Sequence, residues 1–103
     1  MAEQALEKVL RIIIQTADPD RIILFGSRAT GQAKPESDYD LCVLKRGLTQ
    51  RRPLVRQLYR SLFGVGVPVE LIVDTPDRFE LHKANPYLVY REIDRDGQVV
   101  YEK

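Results

Sequence analysis

Apolar residues at Leu6, Val9, Leu10, Ile13 and Ile14 recur at helical spacing, which predicts an amphipathic helix from Glu3 to about Thr16, ended by Asp18-Pro19-Asp20. Arg21 to Phe25 is a continuous β-branched and aromatic run that stops at Gly26, so it reads as a strand. Residues 27 to 31 predict a short helix before the polar loop Gln32 to Ser37. A second strand follows from Asp38 to Leu44. Thr49 is the expected cap of a helix whose Leu54, Val55, Leu58 and Leu62 make an inward stripe, with Gly64 as its stop. Val67 to Val73 predicts a third strand. Thr75-Pro76 has the signature of a helix start and Asn85-Pro86 repeats it, so two short helices are expected before Asp94-Arg95-Asp96-Gly97 and a last strand, Gln98 to Tyr101. There is no repeat, low-complexity tract or linker.

Side chains on a strand alternate between faces, and this assigns the residues of the second and third strands. Tyr39, Leu41 and Val43, with Val69, Leu71 and Val73, take the side that helices cover; Asp38, Asp40 and Cys42, with Glu70, Ile72 and Asp74, take the other. The expected architecture is therefore α/β of the α+β kind: a mixed sheet with helices packed on one face and the other face open.

Composition narrows the function. At 103 residues the chain is read as a single domain, 1–103, and its 44% apolar content is ordinary for a globular protein. A formal net charge of +1 argues against a partner held by bulk charge, nucleic acid included, and leaves recognition to local sites. Cys42 is the single cysteine and lies in an apolar run, so it reads as a small core residue in a reducing compartment. No apolar run approaches the ~20 residues of a membrane span, and no signal-type segment opens the chain, so a cytoplasmic protein with no membrane partner is expected.

The chemistry concentrates at one place. Gly26-Ser27 ends the first strand, and Asp38 and Asp40 follow on the second, where alternation puts both carboxylates on one side, roughly 7 Å apart along the strand. Glu70 becomes a third carboxylate if the off-core faces of the two strands coincide. Three oxygens from two strands describe a site for a hard cation such as Mg²⁺, with room left for water and phosphate. A strand ending in glycine lets backbone approach a ligand, and the following turn offers N–H groups to a phosphate, with Ser27 and Arg28 as further donors. Arg28 is equally suited to bracing the loop.

Competing patterns are weaker. The segment from Gly26 to Gly31 lacks the lysine of a P-loop, because Gln32-Ala33 stands where Lys-Ser/Thr is required. Asp94 and Asp96 before Gly97 read as a hairpin turn instead of a calcium loop, His82 has no second imidazole or thiol, and Asp74 reads as a turn or cap residue. Arg52, Arg56 and Arg60 form a basic stripe open to three readings: a solvated face, a surface for an acidic protein, or a contact for RNA phosphates.

Leu24-Phe25-Gly26-Ser27-Arg28-Ala29-Thr30-Gly31, followed by Ser37-Asp38-Tyr39-Asp40-Leu41, resembles the signature of the DNA polymerase β-type nucleotidyltransferase superfamily. The short length and the tail resemble its minimal nucleotidyltransferases, which include the MntA-type antitoxins. The resemblance implies Mg²⁺-dependent binding of a nucleoside triphosphate such as ATP, and transfer of the monophosphate to a hydroxyl with release of pyrophosphate. Gly26 and Ser27 would hold the triphosphate, Asp38 and Asp40 the metal, and Glu70 stands where the family more often has Asp. No segment is left over to build an acceptor pocket. The resemblance points to a small helical HEPN-type toxin ribonuclease as partner, its tyrosine hydroxyl receiving AMP. A non-catalytic antitoxin acting by occlusion, and transfer to a small-molecule hydroxyl, are the alternatives.

Overall fold

Four strands form one mixed sheet in the computed structural model, which describes residues 2–103 and the side chains from Gln4 onward. In chain order the elements are α1 (Ala2–Ala17), β1 (Arg21–Phe25), α2 (Ser27–Thr30), β2 (Tyr39–Leu44), α3 (Arg51–Leu62), β3 (Val69–Asp74), α4 (Pro76–His82), α5 (Val89–Asp96) and β4 (Gln98–Glu102). The strand order is β3-β2-β1-β4. β1 runs antiparallel to β2 and β4, whereas β2 and β3 are parallel and need a crossover, which α3 provides.

The apolar alternation of the strands and the helical stripes meet as expected. Val9, Ile13 and Ala17 of α1 and Leu58 and Leu62 of α3 pack on Ile22, Leu24, Leu41, Val43, Leu71 and Val73. Each valine, leucine or isoleucine among them, fully buried, contributes roughly 1.5–3 kcal/mol. Tyr39 joins this layer at the mouth of β2.

The opposite face is open only at one end. Ile23, Phe25, Cys42 and Leu44 are covered by Phe79 of α4 and by Tyr90 and Ile93 of α5, forming a second, smaller apolar cluster. Phe79 and Tyr90 meet with ring centroids 5.8 Å apart, and His82 lies 6.3 Å from Tyr90, a packing role. Helices of seven and eight residues are too short to display a periodic stripe, so their covering role is not visible in the pattern. Burial, and after it the nearby Asp74 charge, push the Cys42 thiol up to about 12, which fits a core residue.

Several boundaries differ from expectation, each for a physical reason. Gln50, not Thr49, caps α3, without a side-chain bond. With Thr49 as cap, Pro53 would occupy the fourth helical position and remove the first intrahelical bond; starting one residue later puts it where no acceptor exists. β3 begins at Val69 because Pro68 has no N–H, although its carbonyl accepts from the Tyr39 amide at 2.9 Å. Asn85-Pro86 does not start a helix: the Asn85 side chain accepts from the Tyr87 amide at 2.9 Å, and α5 starts at Val89. Asp94 to Asp96 belong to α5 and make no hairpin turn. Gly97 closes that helix by donating to the Ile93 carbonyl at 2.9 Å, and a Cβ there would stand 2.6 Å from Ile23 Cγ2, so glycine lets α5 turn straight into β4 against the sheet. Thr75 does cap α4, accepting from the Arg78 amide at 3.2 Å with Pro76 after it.

Asp74, read from sequence as a turn or cap residue, ends β3 as a buried hub. Its carboxylate accepts from the Thr75 amide at 2.8 Å and from the Tyr90 hydroxyl, and pairs with Arg51 at 3.4 Å and Arg78 at 3.1 Å. One side chain thus ties the end of the sheet to α3, α4 and α5.

Candidate active site

The end of the sheet left uncovered by α4 and α5 is where the carboxylates gather. Asp40 pairs in register with Phe25 on one side and Glu70 on the other, so the two acids lie on neighbouring strands and the same face. Asp38, just before β2, completes the group: one carboxylate oxygen from each of Asp38, Asp40 and Glu70 lies within 4.8 Å of the others. The off-core faces of the two strands therefore coincide, the condition on which Glu70 depended as third carboxylate.

Oxygens on opposite sides of one Mg²⁺ stand about 4.2 Å apart, twice the ~2.1 Å ligand distance, so small rotations of these exposed or half-exposed side chains bring all three into one shell. The donor set is all oxygen and fits a hard cation. Burial, followed by the charges of Glu70, Asp38 and Glu92, raises the pKa of Asp40, the signature of an acid crowded by acids. Glu92 of α5 was not singled out from the sequence; its position beside Asp40 follows from how α5 packs, which spacing does not encode.

Gly26 has φ +73°, and an added Cβ would stand 2.2 Å from Asp40 Oδ2. The strand end and the metal-side carboxylate thus occupy adjoining space, and only a residue without a side chain fits between them. Gly26→Ala would relieve the clash by swinging the Asp40 carboxylate away, at the site's expense. We expect a loss of about 1–3 kcal/mol in stability, because the positive φ with extended ψ at this position is open essentially to glycine alone, and of roughly a hundredfold in turnover from the displaced carboxylate. Thermal melting and transfer rates of the variant check this; an undiminished rate would show that Asp40 need not sit where it does.

Ser27 opens α2, a single turn. The amides of Ala29 and Thr30 bond back to the Gly26 carbonyl at 3.0 and 3.3 Å, so the amides of Ser27 and Arg28 are the pair left for a ligand among the described residues. Gln98 of β4 holds the turn in place by donating to the Ala29 carbonyl at 2.8 Å, a support that sequence reasoning missed. The Arg28 guanidinium faces the 32–38 loop. It donates to the carbonyls of Ser37 at 2.9 Å and Pro35 at 3.1 Å and lies 4.1 Å from the centre of the Tyr39 ring. That is the loop-bracing geometry, and it fixes the segment that delivers Asp38.

The arginine stripe sits elsewhere. Arg52, Arg56 and Arg60 are exposed on α3, and they, His82 and Cys42 lie outside the carboxylate group.

A mixed sheet that brings three carboxylates beside a Gly-Ser strand end belongs to the nucleotidyltransferase class of folds. The particular family follows from comparison: the chain belongs to the family "Polymerase beta, Nucleotidyltransferase", which it matches over residues 7–103. It is 31% identical over 104 residues to the protein adenylyltransferase MntA of Aphanizomenon flos-aquae (strain 2012/KM1/D3), an alignment covering 94% of this chain and 66% of that protein. Among solved structures, it superposes over its whole length on 75% of a chain from a crystal structure of a toxin-antitoxin with AMP-PNP, with a TM-score of 0.64 at 20% identity. At that identity the likeness is one of fold. The chain is thus a minimal nucleotidyltransferase of the polymerase β superfamily, as its motif implied.

Proposed function

We propose that this chain is a protein adenylyltransferase that acts as an antitoxin, transferring AMP from ATP to a tyrosine hydroxyl of a small helical HEPN-type toxin ribonuclease and releasing pyrophosphate. The observation that carries the reading is the convergence of Asp38, Asp40 and Glu70 within 4.8 Å of one another beside the Gly26-Ser27 strand end. Support for a protein acceptor comes from the relative named above, itself a protein adenylyltransferase.

Each residue has a role in this reading. The amides of Ser27 and Arg28 and the Ser27 hydroxyl hold the triphosphate, which approaches closely because Gly26 has no side chain. Asp38 and Asp40 hold Mg²⁺, with Glu70 completing the set, and Arg28 keeps the Asp38 loop in register. Bound there, Mg²⁺ would neutralise charge on the phosphates as the displacement proceeds. In this reading Glu70 also orients the incoming hydroxyl. The cytoplasm, where ATP and Mg²⁺ are plentiful, is the compartment this reaction requires. No helix among the described residues is long and apolar enough to cross a membrane.

The test is the intact mass of a small helical protein encoded beside this chain, incubated with it in the presence and absence of ATP and Mg²⁺. The expected result is a mass increase of one or more nucleoside monophosphates, only with both present. Full neutralisation of the partner with no mass change would replace transfer by occlusion, and labelling of a free small-molecule hydroxyl would move the acceptor. Glu70→Gln should lower turnover by roughly tenfold to a hundredfold and leave ATP binding nearly as it was; an unaltered rate would reduce Glu70 to an ordinary strand acid.

A further inference from the structure

Around the outer edge of β3, this strand and α3 border a shallow, open cleft of about 450 Å³ lined by Arg51, Arg52, Val55, Arg56, Ile72 and Val73. Its floor is aliphatic and its rim is basic. Arg52 and Arg56 stand one helical turn apart, are exposed, and form no ion pair among the described residues. Arg51 pairs with Asp74 at 3.4 Å, but its side chain is 52% exposed and keeps donors free. Like charges at this spacing on a helix are mildly destabilising, and an anion between them converts that cost into attraction. Arg60 does not line the cleft, so the basic feature is narrower than the stripe in the sequence.

We propose that this cleft receives an acidic segment of the partner protein, with carboxylates on Arg52 and Arg56 and an apolar side chain on the floor made by Val55, Ile72 and Val73. Charge complementarity selects the partner's sign, and the apolar floor selects protein over nucleic acid. The cleft has no aromatic ring for a base to stack on, and its aliphatic floor suits a peptide side chain better than a base. With a net charge of only +1 on the whole chain, the attraction is local to the cleft.

Position gives the cleft its purpose. Ile72 lies on the same strand and the same face as Glu70, two residues or about 7 Å along β3. A segment anchored on Ile72 and the arginines is therefore delivered to the edge of the carboxylate site. This purpose rests on the adenylyl-transfer reading; the binding itself does not.

A fluorescein-labelled octapeptide of alternating glutamate and leucine tests the binding by anisotropy, without ATP or metal. The expected result is saturable binding that added salt weakens and that the charge reversal R52E/R56E weakens by at least about tenfold. Both positions are exposed, and thermal melting of the variant confirms its fold; if it fails to fold, R52Q/R56Q should still lose about threefold. Equal affinity of the native chain and the variant, or no binding to the native chain, overturns the proposal. Tighter binding of a labelled uridine octamer also overturns it and assigns the cleft to RNA. D40N, which disables transfer, should bind the peptide like the native chain, so failure of the chemistry and failure of the docking surface register separately.

Discussion

Replacing Asp40 by asparagine is expected to lower nucleotidyl transfer by at least about a thousandfold while leaving the chain folded. Asp40 is the middle member of the carboxylate group, in register with Glu70 and in van der Waals reach of the Gly26 backbone, so no neighbouring side chain can replace it. Asp38→Asn should behave in the same way. Stability should move the other way. Burial, then Glu70, Asp38 and Glu92, raise the Asp40 pKa above its ordinary 3.8, so the folded state favours the protonated acid. Stability associated with that proton is fully present below the unfolded value and is lost as pH rises through the folded one; at neutral pH the charge is a net cost. Without metal, the asparagine variant should therefore melt at the native temperature or a few degrees higher, a gain of up to about 1 kcal/mol. Added Mg²⁺ should raise the melting temperature of the native chain more than that of the variant. Transfer by either variant at the native rate would exclude the assignment.

Asp74→Ala should cost about 2–4 kcal/mol, because it leaves two donors without their acceptor, while the half-exposed Arg51 and Arg78 can turn to water. The side chain is only 1% exposed, and its loss strands the Tyr90 hydroxyl and the Thr75 amide while releasing Arg51 and Arg78. In a domain whose whole stability is of order 5–15 kcal/mol, such a loss threatens folding at moderate temperature. The pH dependence has the opposite sign to that of Asp40. Burial pushes the Asp74 pKa up, but the hydrogen bonds from Tyr90 and Thr75 and the charges of Arg51 and Arg78 outweigh it, and the net shift is downward. Its contribution is present above about 3.8 and is lost as pH falls through the lower folded value. Urea unfolding of the native chain and the variant at neutral pH and in acid measures both effects. A difference below about 1 kcal/mol at neutral pH would show that the hub is not holding the helices.

The carboxylate site was legible because its determinants are local or alternate on strands. Strand alternation put Asp38 and Asp40 together, and the same rule applied to β3 placed Glu70 on their face. The Gly-Ser strand end and the Thr75-Pro76 helix start were likewise readable from adjacent residues. The second apolar layer was not: Phe79, Tyr90 and Ile93 belong to helices too short for a periodic signal, and their target is a strand face whose residues read as off-core. For the same reason the roles of Glu92 and Asp74 stayed hidden, since both depend on where α5 lies. The hairpin expected at Asp94 to Gly97 failed because glycine closes a helix as readily as it makes a turn, even after acids that the helix C-terminus disfavours. Gly97 packing against Ile23 then decided the matter through a contact distant in sequence.

The claim that the rest depends on is that Asp38, Asp40 and Glu70 hold one divalent cation beside Gly26. Titration of the isotopically labelled chain with Mn²⁺, followed by paramagnetic broadening of its amide signals, tests it most directly. The expected result is broadening centred on Gly26, Ser27, Asp38, Asp40 and Glu70 that Mg²⁺ reverses and Asp40→Asn abolishes. Broadening centred instead on Asp18 and Asp20 or on Asp94 and Asp96, or an Asp40→Asn variant that binds Mn²⁺ as the native chain does, would contradict it.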